Sequence, residues 1–328
     1  MKESFDGYTI SELKDLISEY IGADHVPKNL NVYTDTSDFY RVDYDDIVIL
    51  GGKPYLIRNN EREGRFGIDE QQKFWVKRAR DLTDGSVKII KFVFHERFEA
   101  KVGGIVFECF RSPRKEARIL DLTKDHPRFM HGFSVTDASN NIIRIIDFIK
   151  GNNFADFVLT LGKDHEDYYY NYLPLILDEF IELTMAINFL HKHGEKHGDI
   201  RRDHIIKDSD TKISRWIDFD FNYLHKENFH GYDLFGLGNI LVYLAGRGDV
   251  TLQSLRQNNS PVVSSLVADD MNIIFNNRVA NLKKIYPYID ESLNYIMKHF
   301  SLGAEIFYDD TEQFLHDLLE ARTNINKT

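Results

Sequence analysis

HGDIRRDHIIKDSDTKISRWIDFDF, residues 197–221, sets one carboxylate, Asp199, in a tight His-Gly-Asp turn. A hairpin-like pair of apolar runs follows, and then Asp218 and Asp220 flank Phe219. A buried unpaired charge is expensive, so three carboxylates placed among so much apolar sequence need partners or a task. The stretch sits between two helix signals. LPLILDEFIELTMAINFLHKHG before it reads as a long helix stopped at Gly194, and LFGLGNILVYLAG after it is apolar nearly all round, as in a helix buried within a core.

Working outward, residues 9–22 read as an amphipathic helix. Thr9-Ile-Ser-Glu12 forms a capping box, and Ile10, Leu13, Leu16, Ile17 and Tyr20 recur at helical spacing. DIVILGGKPYLIRNN reads as a hairpin turning at Gly51-Gly52. GGKP is not a P-loop, because the second glycine frame and the following Ser/Thr are missing. KFWVKRARDLTDGSVKIIKFVF reads as a second hairpin about Asp84-Gly85. Ser112 and Pro113 open a helix over RKEARILDLT, and HGFSVTD and NNIIRIIDFI are strand-like. After Gly151 the character changes, and the remainder to Thr328 reads as helical. The expected architecture is α+β, with a helical extension over 1–45, a strand-rich part over 46–150 and a helix-rich part over 151–328.

Composition bounds the function. The chain has 328 residues, 42% of them hydrophobic and 13% aromatic, enough for a sizeable core. A net charge of −11 argues against a nucleic-acid backbone as partner. Cys109 is the only cysteine, so no disulfide framework or thiol metal cluster is expected. MKESFDGYTI lacks the apolar core of a signal peptide, and no run approaches about 18 uncharged apolar residues. The expectation is a soluble cytoplasmic protein without a membrane partner. His191, His193 and His197 lack zinc-ligand spacing and read as helix-end residues facing the C-terminal dipole.

The decisive stretch resembles the protein kinases, and the resemblance extends over roughly residues 54–320. His197-Gly-Asp199 and the residues up to His204 are similar to the catalytic loop H-R-D-L-x-x-x-N at its His and Asp. Asp218-Phe219-Asp220 resembles D-F-G, and Asp233-Leu-Phe-Gly-Leu-Gly-Asn-Ile-Leu241 resembles the opening of the buried helix of the large lobe. The resemblance implies a two-lobed fold, with ATP and Mg²⁺ as cofactors in a cleft between the lobes. It implies Asp199 as the residue that takes the acceptor hydroxyl's proton and Asp218 as a Mg²⁺ ligand, since Mg²⁺ favours hard oxygen donors. Lys91 would grip the α- and β-phosphates, with Lys88 as its competitor in register. Glu116, one turn before Ile119 and Leu120, would pair with Lys91 across an insertion around HERFEAKVGGIVFE. Gly64 and Gly67 resemble part of the glycine-rich loop, with strand sequence resuming near Lys73. Ile146, Asp147 and Ile149 lie in the segment that resembles the adenine-binding hinge.

Departures from the pattern matter as much. His204 stands where the family has a metal-binding asparagine, and Asp220 replaces the glycine. The expectation is that Asp203 or Asp220 serves that metal site, or that it is weakened. Gly198 replaces the arginine after the loop histidine, and only residues 219–232 separate Asp218 from Asp233, with no A-P-E motif. The expected activity is ATP-dependent transfer to a Ser/Thr hydroxyl or a similar alcohol. A small-molecule kinase of the aminoglycoside or choline kinase type, which shares H-G-D, and a nucleotide-binding pseudokinase stay open. The partner is accordingly a protein or a small-molecule hydroxyl acceptor.

Overall fold

A computed structural model describes residues 4–65, 68–102, 104–224 and 228–325. The chain divides into two compact units. The first comprises Met1–His95, Ser112–Asp125 and Met130–Ile149, and the second Glu96–Arg111, His126–Phe129 and Lys150–Thr328.

In the first unit, α1 (Ile10–Tyr20) opens on the expected box. The Thr9 hydroxyl accepts from the Glu12 amide, and the Glu12 carboxylate accepts from the Thr9 amide. Then come β1 (Val32–Tyr33), β2 (Ile47–Leu50), β3 (Lys53–Arg65), β4 (Ile68–Asp81) and β5 (Val87–Lys91). The chain next forms β6 (Arg97–Val102) and β7 (Ile105–Arg111) of the second unit. It returns to the first as α2 (Pro113–Leu122), β8 (Gly132–Thr136) and β9 (Ile142–Asp147). The seven-stranded sheet has the order β8-β9-β5-β4-β3-β2-β1, antiparallel except between β1 and β2. Gly51 and Gly52 sit at φ +58° and +73°, the left-handed values that a two-residue hairpin turn demands.

β2 reads IVIL and is buried throughout because both its faces are covered. Ile47 and Ile49 pack with Leu13 and Ile17 of α1, whereas Val48 and Leu50 pack with Tyr55, Ile57 and Ile90. The expected extension over 1–45 is thus part of the first unit: α1 supplies one face of its core, and β1 adds an edge strand. β3 and β4 stay paired as far as Arg65↔Ile68, so the strand resumes five residues earlier than the expected Lys73. Register shifts at Asn60/Glu61 and Glu63/Arg65 absorb the mismatch in the alternation.

In the second unit, the expected insertion is the β6–β7 hairpin. It leaves the strand-rich part because β7 pairs with β13 (Phe221–Leu224), from Phe221↔Arg111 to Leu224↔Glu108. A second small sheet orders β10 (Gly151–Asn153), β11 (Ile205–Asp208) and β12 (Ser214–Trp216). The helices are α3 (Leu173–Lys192), α4 (Gly231–Ala245), α5 (Glu291–Lys298) and α6 (Thr311–Ile325), among shorter ones. Residues 258–290 depart from the helical expectation, with turns and short 3₁₀ segments. There Asn272 Oδ1 accepts from the Ile274 and Phe275 amides, and Asp270 accepts from the Val267 amide, competing with helix formation. No described helix is long and apolar enough to cross a membrane.

Candidate active site

Lys91 ends β5 directly opposite Arg144 on β9. Two cations facing each other across strands repel, and here a helix supplies the anion between them. Ser112 caps α2 by accepting from the Lys115 amide, which fixes the first turn and turns Glu116 inward. Lys91 Nζ lies 2.7 Å from Glu116 Oε1, and Arg144 Nε donates to Glu116 Oε2 at 2.9 Å. All three side chains are buried. Arg144 also donates to the Ile142 and Phe92 carbonyls. The sequence reading missed Arg144, although a single cation inside NNIIRIIDFI was the signal for it. Lys88, the alternative in register, instead pairs at 2.7 Å with the exposed Asp147.

Gly64 lies within β3, and Gly67 falls outside the described residues. Ile146 is buried and paired to Ile89 and Gly132. The Asp147 amide donates to the His131 carbonyl and the Phe148 amide to the Val87 carbonyl. Asp147 therefore has its amide and its carboxylate engaged by protein. Ile149 follows the end of β9.

In the second unit the loop carrying Asp199 is held by a buried carboxylate. Asp233, in the first turn of α4, accepts from the His197 and Gly198 amides, both at 2.8 Å. His191 Nε2 lies 3.0 Å from the same carboxylate, and its Nδ1 lies 2.6 Å from the Thr311 hydroxyl. His191 thus departs from the helix-end expectation, which His193 meets with Nδ1 at 2.8 Å from the Phe189 carbonyl. Gly236 lets this loop approach α4, since a Cβ there would lie 2.6 Å from Ile200 Cβ. Phe219 is fully buried, edge-on to His197 at 6.0 Å and to Phe129 at 6.1 Å.

His204 lies between the two aspartates of interest. Its Nδ1 is 2.8 Å from the Asp199 carbonyl, which can only accept, so Nδ1 carries the hydrogen. Nε2 then faces Asp218 Oδ2 at 3.6 Å. Asp218 adopts φ +63°, a left-handed conformation that costs a non-glycine residue about 1 kcal/mol and needs a surrounding that holds it. The two carboxylates expected to serve a second metal are engaged elsewhere. Asp203 forms a two-point pair with Arg201. Burial pushes the Asp203 carboxyl up, but His204 and Arg201 outweigh it and hold its pKa below the usual carboxylate range. Asp220 is buried, with both oxygens 2.8 Å from Arg111 Nη1. Burial lowers the proton affinity of Arg111, but Asp220 and then Asp218 more than compensate, so it stays charged.

Of the expected metal set of Asp218, His204 and Asp220, Asp218 Oδ2 lies 3.6 Å from His204 Nε2 and Asp220 is paired with Arg111. Among the described residues no three His, Cys, Asp or Glu side chains gather as a metal site. Mg²⁺ commonly takes one or two protein carboxylates and completes its shell with phosphate and water, so it does not require a cluster of three protein donors.

No family model matches the chain. Over 134 residues it is 24% identical to CBL-interacting protein kinase 33 of Oryza sativa subsp. japonica, covering 41% of this chain and 26% of that one. Over 113 residues it is 29% identical to the sperm motility kinase Tcr mutant form of Mus musculus, covering 34% and 22%. Over 206 residues it is 21% identical to putative ribosomal protein S6 kinase alpha-2 of Caenorhabditis elegans, covering 61% and 22%. Among solved structures, the Cydia pomonella granulovirus kinase PK-1 matches with a TM-score of 0.50 at 14% identity, over 80% of this chain and 92% of that one. The chain is similar to protein kinases over part of its length and has the protein kinase fold. The matches span about a quarter of the length of these curated relatives. In this kinase fold the β6–β7 hairpin lies between Lys91 and Glu116, the position at which the sequence reading placed an insertion.

Proposed function

We propose that the protein is an ATP-dependent phosphotransferase whose acceptor is a Ser/Thr hydroxyl or a chemically similar alcohol. The observation that carries this reading is the buried Lys91–Glu116 ion pair, because a desolvated lysine held by a carboxylate is a costly arrangement unless its charge is used. In this reading Lys91 binds the α- and β-phosphates, and Ile146, Asp147 and Ile149 line the adenine. Asp218 would hold Mg²⁺, which when bound neutralises charge on the phosphate oxygens. Asp199, fixed through the Asp233 contacts to its loop, orients the acceptor hydroxyl and takes its proton. The new bond joins the acceptor oxygen to the γ-phosphorus as the bond to the ADP oxygen breaks. Such chemistry needs positioning and charge neutralisation more than covalent help.

The test is Asp199→Asn. ATP with Mg²⁺ should raise the melting temperature of variant and parent alike. Transfer to hydroxyl acceptors should fall roughly a hundredfold or more in the variant. Equal turnover would remove Asp199 from the mechanism. A second reading, a nucleotide-binding protein without turnover, is favoured by one feature: an imidazole rather than an amide oxygen beside Asp218. It predicts the same ATP-induced stabilisation with no transfer by the parent.

A further inference from the structure

We propose that Arg111, at the end of the β6–β7 hairpin, is a positioning residue for Asp218. With Asp220 it forms a built-in clasp that keeps the segment after Asp218 ordered without phosphorylation. The functional part of this inference rests on the phosphotransferase reading, while its structural part stands on the clasp itself.

The clasp has main-chain and side-chain components. Arg111 pairs with Phe221 in the β7–β13 ladder, and its guanidinium carbon lies 4.0 Å over the Phe221 ring. Nη1 is 2.8 Å from both Asp220 oxygens, and Nε donates to Glu96 at 2.9 Å, within the same hairpin segment. Arg111 and Asp220 are 5% and 2% exposed, so solvent screens the pair little. A second buried cation fastens the next turn. Lys196 Nζ donates to the Tyr223 carbonyl at 2.7 Å and lies 3.8 Å from the Phe229 ring centre.

Phosphorylation orders such segments by giving an arginine an anion to bind. Here the chain encodes both members: the anion is Asp220, and the arginine comes from the hairpin rather than from position 198, where Gly198 stands. Asp220 is two residues from Asp218, whose left-handed backbone persists only if its neighbours hold it. Arg111 holds one side of that residue, and the buried Phe219 anchors the intervening position. Asp220 therefore acts through Arg111 and not as a metal ligand.

The test compares Arg111→Met, Asp220→Asn and the double variant in the full chain. Hydrogen exchange of the 219–224 amides should speed up by about tenfold or more in Arg111→Met, which takes the guanidinium away from a buried carboxylate. In the double variant, which removes the buried charge but also the clasp, exchange should come only part of the way back towards the parent. Transfer should follow the same order, with kcat down at least about tenfold in Arg111→Met, KM for ATP little changed, and partial recovery in the double variant. The Mg²⁺ concentration needed for ATP-induced stabilisation should be the same in Asp220→Asn as in the parent. Parent-like exchange in Arg111→Met would overturn the clasp, as would a large rise in the Mg²⁺ requirement for Asp220→Asn alone. If Arg111→Met cannot be purified, Asp220→Asn and the double variant carry the exchange measurement, and parent-like exchange in both would refute the clasp. A parent that neither binds ATP nor transfers phosphate would sink the phosphotransferase reading, while the exchange results would still decide the clasp.

Discussion

Glu116 bonds both Lys91 and Arg144, so removing Glu116 and removing Lys91 should not be symmetrical. Lys91→Met leaves Glu116 paired with Arg144, whereas Glu116→Gln leaves two buried cations facing each other across β5 and β9. Breaking a buried pair by removing one partner costs about 3–5 kcal/mol. We expect Glu116→Gln to lower the denaturation midpoint clearly more than Lys91→Met. Transfer should fall to a similar level in both, and the double variant should be little worse, because the pair acts as a unit. Lys88→Ala should be nearly silent, since its partner Asp147 is exposed and such pairs contribute about 0–1 kcal/mol. Damage from Lys88→Ala with none from Lys91→Met would reverse the assignment.

The interior of helix α4 carries two glycines, Gly236 and Gly238, where propensity alone would favour alanine by about 1 kcal/mol each. Packing reverses that preference. A Cβ on Gly238 would lie 2.3 Å from the Phe300 ring, and one on Gly236 would meet Ile200, the neighbour of Asp199. Gly238→Ala should therefore destabilise the fold with little change in kcat per folded molecule, whereas Gly236→Ala should lower kcat by moving the loop. Equal loss of kcat in both would show that α4 does not set that loop. In the β-rich unit, Lys77 is 1% exposed and donates to the Val42 carbonyl and to Asn60. Burial lowers its pKa to about 8 from 10.5. Between those values the unfolded chain binds more protons than the folded one, so Lys77 makes stability rise with pH from about 8 to about 10.5. Below about 8 its full desolvation cost is present. The parent should thus gain stability relative to Lys77→Met between pH 7 and pH 10, read from denaturant midpoints. A pH-independent difference would contradict the shift.

For the whole molecule the question is control. Tyr223 is fully buried, its ring edge-on to Phe107 at 5.8 Å and 5.2 Å from Tyr232. Burial raises its pKa well above the usual phenol value, and its backbone is paired to Cys109 in the β7–β13 ladder. A modifying enzyme could reach it only after that ladder opened. With no arginine at Gly198 to receive a phosphate, treating the purified protein with phosphatase should leave transfer unchanged. A large loss traced to phosphate between Asp218 and Asp233 would refute this.

Local signals were strong enough to be read from the sequence wherever a residue's role depends on its neighbours along the chain. The Thr9 box, the Gly51-Gly52 and Asp84-Gly85 turns, the Ser112 cap and the apolar α4 are of this kind, because caps, turns and periodicity are short-range physics. The motif order His197-Gly-Asp199, Asp218-Phe-Asp220 and Asp233 carried the fold for the same reason. Pairing between distant residues was not legible. Arg144 joining Lys91 and Glu116, β13 choosing β7, and Arg111 taking the Asp220 charge are long-range contacts. A charge in sequence looks the same whether it will meet a metal or a guanidinium. Only the tertiary structure brings its partner within hydrogen-bond distance, and the cost of burying a lone charge then decides what that residue can do.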